Sequence, residues 1–132
     1  VAYNSELVQK RNWNITFRFD KLKNWRRSLA LVASLKPADK ESLVRFEAFK
    51  KSRIQFHKAF QEKYGYSRDI RDSYSPHISL GYFINENSND LFETVLPKWN
   101  KTFQEAMEGQ TITYQSVDVY FFTSMISFAK LG

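Results

Sequence analysis

The residues best suited to chemistry in this chain are His77 and Ser79, within Ser73-Tyr74-Ser75-Pro76-His77-Ile78-Ser79-Leu80-Gly81-Tyr82-Phe83. An imidazole gives or takes a proton near neutral pH, and a hydroxyl donates to an anionic oxygen. The two together make half of an acid–base site. Strand side chains alternate between faces, so the pattern predicts a strand with His77, Ser79 and Gly81 on one face and Ile78, Leu80 and Tyr82 on the other. One face is left for chemistry while the other packs. Pro76 suits the start of such a strand, where a missing N–H costs least, and Gly81 leaves space beside Ser79. Arg68 and Arg71 arrive just before it and either meet a phosphate there or pair with Asp69 and Asp72.

Several elements are needed to position this strand. Trp13, Ile15, Phe17 and Phe19 alternate with Asn14, Thr16 and Arg18, which predicts a half-buried strand over 12–20. Residues 22–27 read as a polar turn and Ser28 to Leu35 as the second strand of a hairpin. Residues 1–11 are polar and mixed in charge and read as an arm or the end of an earlier helix. A long helix is expected from Asp39 as N-cap to about Tyr64, stopped by Gly65, with Lys50, Lys51, Arg53 and Lys58 on its solvated side. A second helix is expected from a cap at Ser88 or Asp90 to about Glu108, stopped by Gly109. Its line Leu91, Val95, Trp99, Phe103 and Met107 or Ala106 reads as core, with a kink or break near Val95 caused by Pro97. Strands are expected over 110–114, 117–122 and 124–131. The order predicts an α+β fold, an antiparallel sheet with helices packed on one side.

Composition bounds the rest. A chain of 132 residues is one domain's worth, and 42% apolar with 17% aromatic residues marks a folded globule. The formal charge of +6 favours anionic partners: phosphates, nucleic acid or an acidic membrane surface. No cysteine excludes disulfides, a thiolate nucleophile and cysteine-ligated zinc, and permits a reducing compartment. Two histidines far apart in sequence give no basis for a transition-metal site, so no metal or other cofactor is expected. No apolar run reaches the length of a membrane span and no signal-peptide pattern is present, so a cytoplasmic protein without a membrane partner is expected.

The strand Pro-His-Ile-Ser-Leu-Gly-Tyr-Phe, placed between two helices and followed by Ser116-Val117-Asp118-Val119-Tyr120-Phe121-Phe122, resembles the two-histidine (2H) phosphoesterase superfamily. That superfamily includes RNA-end cyclic phosphodiesterases and 2′-5′ RNA ligase-like proteins, and the chain looks like a poorly characterised bacterial branch of it. The resemblance covers about residues 12–131 and implies one two-lobed domain over the whole chain. It also implies metal-independent cleavage of a phosphodiester at RNA ends, in oligonucleotides or in a small cyclic nucleotide. Carried over residue by residue, His77 is an acid–base group and Ser79 a holder of phosphate oxygens. Tyr120 is a candidate for stacking on a base, beside Arg68 and Arg71 as phosphate contacts.

Two features depart from the family's pattern. The family has two His-x-Thr/Ser motifs, and this chain holds one; its other histidine, His57, lies mid-helix without a hydroxyl two residues on. Asn14-Ile15-Thr16-Phe17 has the motif's shape with asparagine in place of histidine. By order of elements the missing histidine is expected upstream of Val1, so that an upstream segment or a second subunit would complete the site. The alternative is an RNA- or phosphate-binding module with a degenerate site.

Overall fold

The computed structural model describes residues 5–65, 74–118, 120–124 and 127–130. In chain order the elements are α1 (Glu6–Gln9), β1 (Ile15–Trp25), β2 (Ala30–Pro37), α2 (Lys40–Tyr64), β3 (His77–Tyr82), α3 (Glu86–Ala106), β4 (Thr111–Tyr114), β5 (Tyr120–Ser124) and β6 (Ser127–Lys130). The fold is α+β, with a curled antiparallel four-stranded sheet ordered β3-β2-β1-β4 and a separate β5-β6 pair. Two compact units divide the chain: Val1–Ile15, Lys40–Tyr74 and Thr113–Gly132 form the first, Thr16–Asp39 and Ser75–Ile112 the second. No helix among the described residues is long and apolar enough to cross a membrane.

In the second unit β1 and β2 form the hairpin that the alternation predicts, but β1 runs on to Trp25 through the residues expected to turn. The reason is a register shift between Phe19 and Lys21. A bulge of one residue carries the inward phase from Phe17 and Phe19 to Leu22 and Asn24, so the period-two pattern breaks in sequence while the strand continues. The turn proper spans Arg26 to Leu29, closed by the Ser28 N–H on the Trp25 carbonyl at 3.2 Å.

β3 pairs antiparallel with β2 and is pinned at both ends. The Leu35 N–H donates to the Pro76 carbonyl at 2.9 Å and the Phe83 N–H to the Leu29 carbonyl at 2.7 Å. Here too a bulge corrects the simple alternation. Val32 faces Ser79 and Leu31 faces Gly81, leaving Leu80 as the extra residue. Gly81 therefore falls in phase with Ile78, and Tyr82 with His77 and Ser79.

α3 packs on the face of the sheet that carries Phe19, Leu22 and Asn24. Its N-cap is Asn85, earlier than expected, whose Oδ1 accepts the Ser88 N–H at 2.9 Å. The line turned inward is Asn89, Phe92, Leu96, Asn100 and Phe103. Asn100 Oδ1 accepts the Leu22 N–H at 3.0 Å, Asn89 bonds Asn24, and the Phe103 ring lies 6.2 Å from Phe19. Of the apolar line expected as core, Phe103 turns inward, while Leu91 is 72% exposed and Trp99 48%. The bonds of Asn89 and Asn100 to the sheet, together with the inward rings of Phe92 and Phe103, set the helix's rotation. The helix also runs unbroken through Pro97, which sits on the exposed side where water can replace the lost backbone bond.

The first unit contains α1, α2 and the β5-β6 pair. Of the segment before β1 the described residues, from Ser5, carry a helix, one of the two expected readings, and not a plain arm: Ser5 caps α1 by accepting the Leu7 N–H at 3.2 Å, and Leu7, Trp13, Ile15 and Phe46 are buried. The Trp13 ring meets Phe49 edge-on at 5.3 Å, and its Nε1–H donates to the Leu7 carbonyl at 3.2 Å. α2 has the expected extent, ending at Tyr64 before Gly65 with φ 77. Val117 and Asp118, expected in a strand, lie outside any ladder, with Arg11 Nη1 donating to the Val117 carbonyl at 3.1 Å and to Asp118 at 3.0 Å, and β5 is described from Tyr120.

Candidate functional site

His77 opens β3 at the edge of the four-stranded sheet. Its Nδ1 lies 2.9 Å from the Ser75 carbonyl oxygen. A carbonyl only accepts, so Nδ1 carries the proton in this bond and Nε2 presents its lone pair in the neutral ring. The other restraint is Trp25, whose ring meets the imidazole edge-on with centroids 4.3 Å apart. The side chain is thus held in orientation by one hydrogen bond and one aromatic wall, while it stays only half-buried.

The register shows what shares this face. Lys21, Ser34 and His77 form one cross-strand row, Lys23, Val32 and Ser79 the next, and Trp25, Ala30 and Tyr82 the third. Val32, with 0% exposure, is the central position of this grid. Ser79 is exposed two residues from His77, and Lys21 and Lys23 lie on the same face two strands away. Ser34 is buried and spends its hydroxyl on the bulge, donating to the Lys21 carbonyl at 2.9 Å and accepting its N–H at 3.3 Å. It positions Lys21 and is not itself free to bind.

Of the five residues singled out by sequence, His77 and Ser79 stand together on this face. Tyr120 is exposed at the start of β5 and belongs to the first unit, and Arg68 and Arg71 lie outside the described residues. His57 is half-buried on α2 with its ring 5.7 Å from Phe56, also in the first unit. Asn14 precedes β1 in a left-handed conformation, φ 49, with its carbonyl accepting from Arg45 at 3.1 Å. Trp25, Lys21 and Lys23 were missed by the sequence because the expected strand stops at Asp20 and 22–27 reads as a turn. The alternation of Lys21, Lys23 and Trp25 against Leu22 and Asn24 was the available signal, hidden by the phase change at the bulge.

Ionisation is perturbed elsewhere. Burial pushes the Tyr74 phenol above its ordinary value, aided slightly by Tyr114 and opposed by Arg53, whose guanidinium lies 4.7 Å over the ring. Arg26 is held further into its charged form by its hydrogen bond and ion pair with Asp90, at the start of α3. Among the described residues no group of three or more histidines or carboxylates is placed to hold a metal ion.

Compared with known proteins, the chain significantly matches no family model, no curated protein and no solved structure. Its site is therefore read from its own geometry: one oriented imidazole, one exposed hydroxyl and two lysines on one face of a curled sheet.

Proposed function

We propose that this face binds a phosphodiester, of an RNA end, an oligonucleotide or a small cyclic nucleotide, and that His77 transfers a proton in its metal-independent hydrolysis. One observation carries the reading: the His77 ring is fixed through Nδ1 and Trp25, leaving Nε2 free beside the exposed hydroxyl of Ser79. The resemblance to the 2H phosphoesterases supports the same assignment, including a two-lobed arrangement. In that reaction water attacks phosphorus, one P–O bond breaks, and the departing oxygen takes a proton. His77 Nε2 either accepts the proton of the water or, as imidazolium, supplies the one for the leaving oxygen. Ser79 donates to a non-bridging oxygen, and Lys21 and Lys23 add positive charge.

A second reading rests on a specific feature. The unit that holds His77 holds no second histidine, and the missing proton transfer is typically worth about 100- to 10,000-fold in rate. Such a face can bind a phosphodiester without turning it over.

Hydrolysis of a 2′,3′-cyclic nucleotide and of a short 2′-5′-linked oligonucleotide, measured in EDTA, separates the two. The enzyme reading expects turnover that falls at least about 100-fold in His77→Ala, with the ligand still bound. Binding without any His77-dependent turnover selects the phosphate-binding module. Neither binding nor turnover removes both.

A further inference from the structure

β3 is an edge of the four-stranded sheet, and among the described residues no strand pairs with its outer side. Edge strands are ordinarily blunted by a lysine, an inward charge, a proline or a bulge. From His77 to Tyr82 β3 carries no charge and no proline, in a chain of net charge +6, and its bulge at Leu80 leaves His77 to Ser79 regular. Ile78, Leu80 and Tyr82 remain 38%, 45% and 63% exposed.

The ladder to β2 fixes which backbone groups face outward. The Leu35 N–H on the Pro76 carbonyl makes that pair a hydrogen-bonded one, and antiparallel alternation gives Ala33 and Ile78 as the next. His77, opposite Ser34, and Ser79, opposite Val32, therefore turn their N–H and C=O groups away from β2. Such an edge is complementary to itself. Turned about a twofold axis at Ile78, His77 opposes Ser79 of a second copy, Ser79 opposes that copy's His77, and each pair exchanges both of its backbone bonds. An axis at Ser79 would oppose His77 to Gly81, which the bulge turns toward β2. An axis at His77 would draw on the Ser75 carbonyl, already held by the His77 ring.

Opposed residues share a face, and diagonal neighbours on that face lie about 7–8 Å apart. The two copies of His77 thus come to flank one point at the seam. Hydrolysis of a phosphodiester takes two proton transfers, and the unit that holds His77 holds no second histidine. We propose that two copies of the chain pair antiparallel along β3 and that His77 of the second copy completes the site. The inference rests on the phosphodiester reading. One His77 takes the proton of the attacking water as the new P–O bond forms. The other, as imidazolium, gives its proton to the departing oxygen as the old P–O bond breaks. The phosphate lies on the axis, so two chains hold one ligand.

The chain has no cysteine, so Ile78→Cys places a single thiol at the axis. Residues of a non-hydrogen-bonded pair have Cα atoms about 4.5 Å apart, within disulfide reach. Mild oxidation is expected to link Ile78→Cys into a covalent dimer and to leave Leu80→Cys, exposed but off the axis, unlinked. Sedimentation equilibrium of the full chain is expected to show a reversible dimer. Ser79→Pro removes an outward N–H without touching the ladder to β2 and should raise the dissociation constant at least about tenfold, which reads the pairing should Ile78→Cys fail to fold. Calorimetric titration with a nucleoside 2′-monophosphate is expected to give one ligand per two chains. An equimolar mixture with His77→Ala should hydrolyse a 2′,3′-cyclic nucleotide at about a quarter of the rate of the same total of wild type, because only pairs with two imidazoles act. A monomer at all concentrations, or equal linkage of the two cysteine variants, would overturn the pairing; hydrolysis by that monomer would leave the phosphodiester reading standing. One ligand per chain, or half the rate in the mixture, would overturn the shared site. A linked dimer that binds no nucleotide would overturn the phosphodiester reading and the shared site together.

Discussion

At the scale of single residues, the distinction that matters is between a histidine that is merely present and one whose ring is oriented. His77 was legible in the sequence because a strand of period two displays it beside Ser79. Its orientation was not, since that depends on the Ser75 carbonyl and on Trp25, more than fifty positions away in the chain. Tyr74 offers a residue-level prediction that is independent of function. Its phenol is neutral when protonated, so burial raises its folded pKa above the ordinary 10.0. As pH rises past that ordinary value the unfolded chain releases the proton first. The stability contributed by Tyr74 is therefore fully present below it and is lost as pH climbs through the higher folded value. Urea unfolding of Tyr74→Phe beside the wild type should show a constant stability difference up to about pH 9. Above that the variant should gain on the wild type. A difference that stays flat into the alkaline range would contradict the assigned burial.

Among the elements, the stops marked by glycine were legible, while the start and the rotation of α3 were not. Gly65 and Gly109 stop α2 and the turn after α3 with positive φ, 77 and 76, a conformation that glycine adopts without strain. The rotation of α3 depends on which side chains the sheet offers it. Asn24 and the Leu22 N–H reach toward Asn89 and Asn100, so the mixed line of Asn89, Phe92, Leu96, Asn100 and Phe103 faces inward and Leu91, Val95 and Trp99 face out. Periodicity gave the right element with the wrong face, because several lines on a helix share the same spacing and only the partner selects among them. The strands failed in a related way: each bulge shifts the phase by one residue, which turned the end of β1 into an apparent turn and misplaced Gly81 and Tyr82. Pro97 provides the element-level prediction. It lies within a continuous helix at an exposed position, so Pro97→Ala restores a backbone N–H without altering a buried contact. The substitution should stabilise the chain by about 1–3 kcal/mol, read as a higher urea midpoint at unchanged slope. A fall in the midpoint would mean that the proline ring itself is needed for the course of the helix.

At the scale of the whole molecule, the α+β class was legible from the order of strands and helices, and the excess of positive charge, +6, fits an anionic ligand. The division into two units was not legible, since no change of composition marks it and each unit is assembled from separated stretches of chain. That division bears on function, because the two histidines of the chain fall in different units and His77 is the one set beside an exposed hydroxyl. Both the catalytic and the binding reading require that Nε2 of His77 be the free nitrogen and that it meet a phosphate. Long-range proton–nitrogen correlation spectra of the histidine rings, recorded with and without a nucleoside 2′-monophosphate, observe this atom directly. Neutral His77 is expected to carry its proton on Nδ1, its Nε2 resonance to move on saturation with the nucleotide, and Ser79→Ala to reduce the affinity. A proton on Nε2 in the free protein, or a His77 ring unmoved by the nucleotide, would contradict both readings.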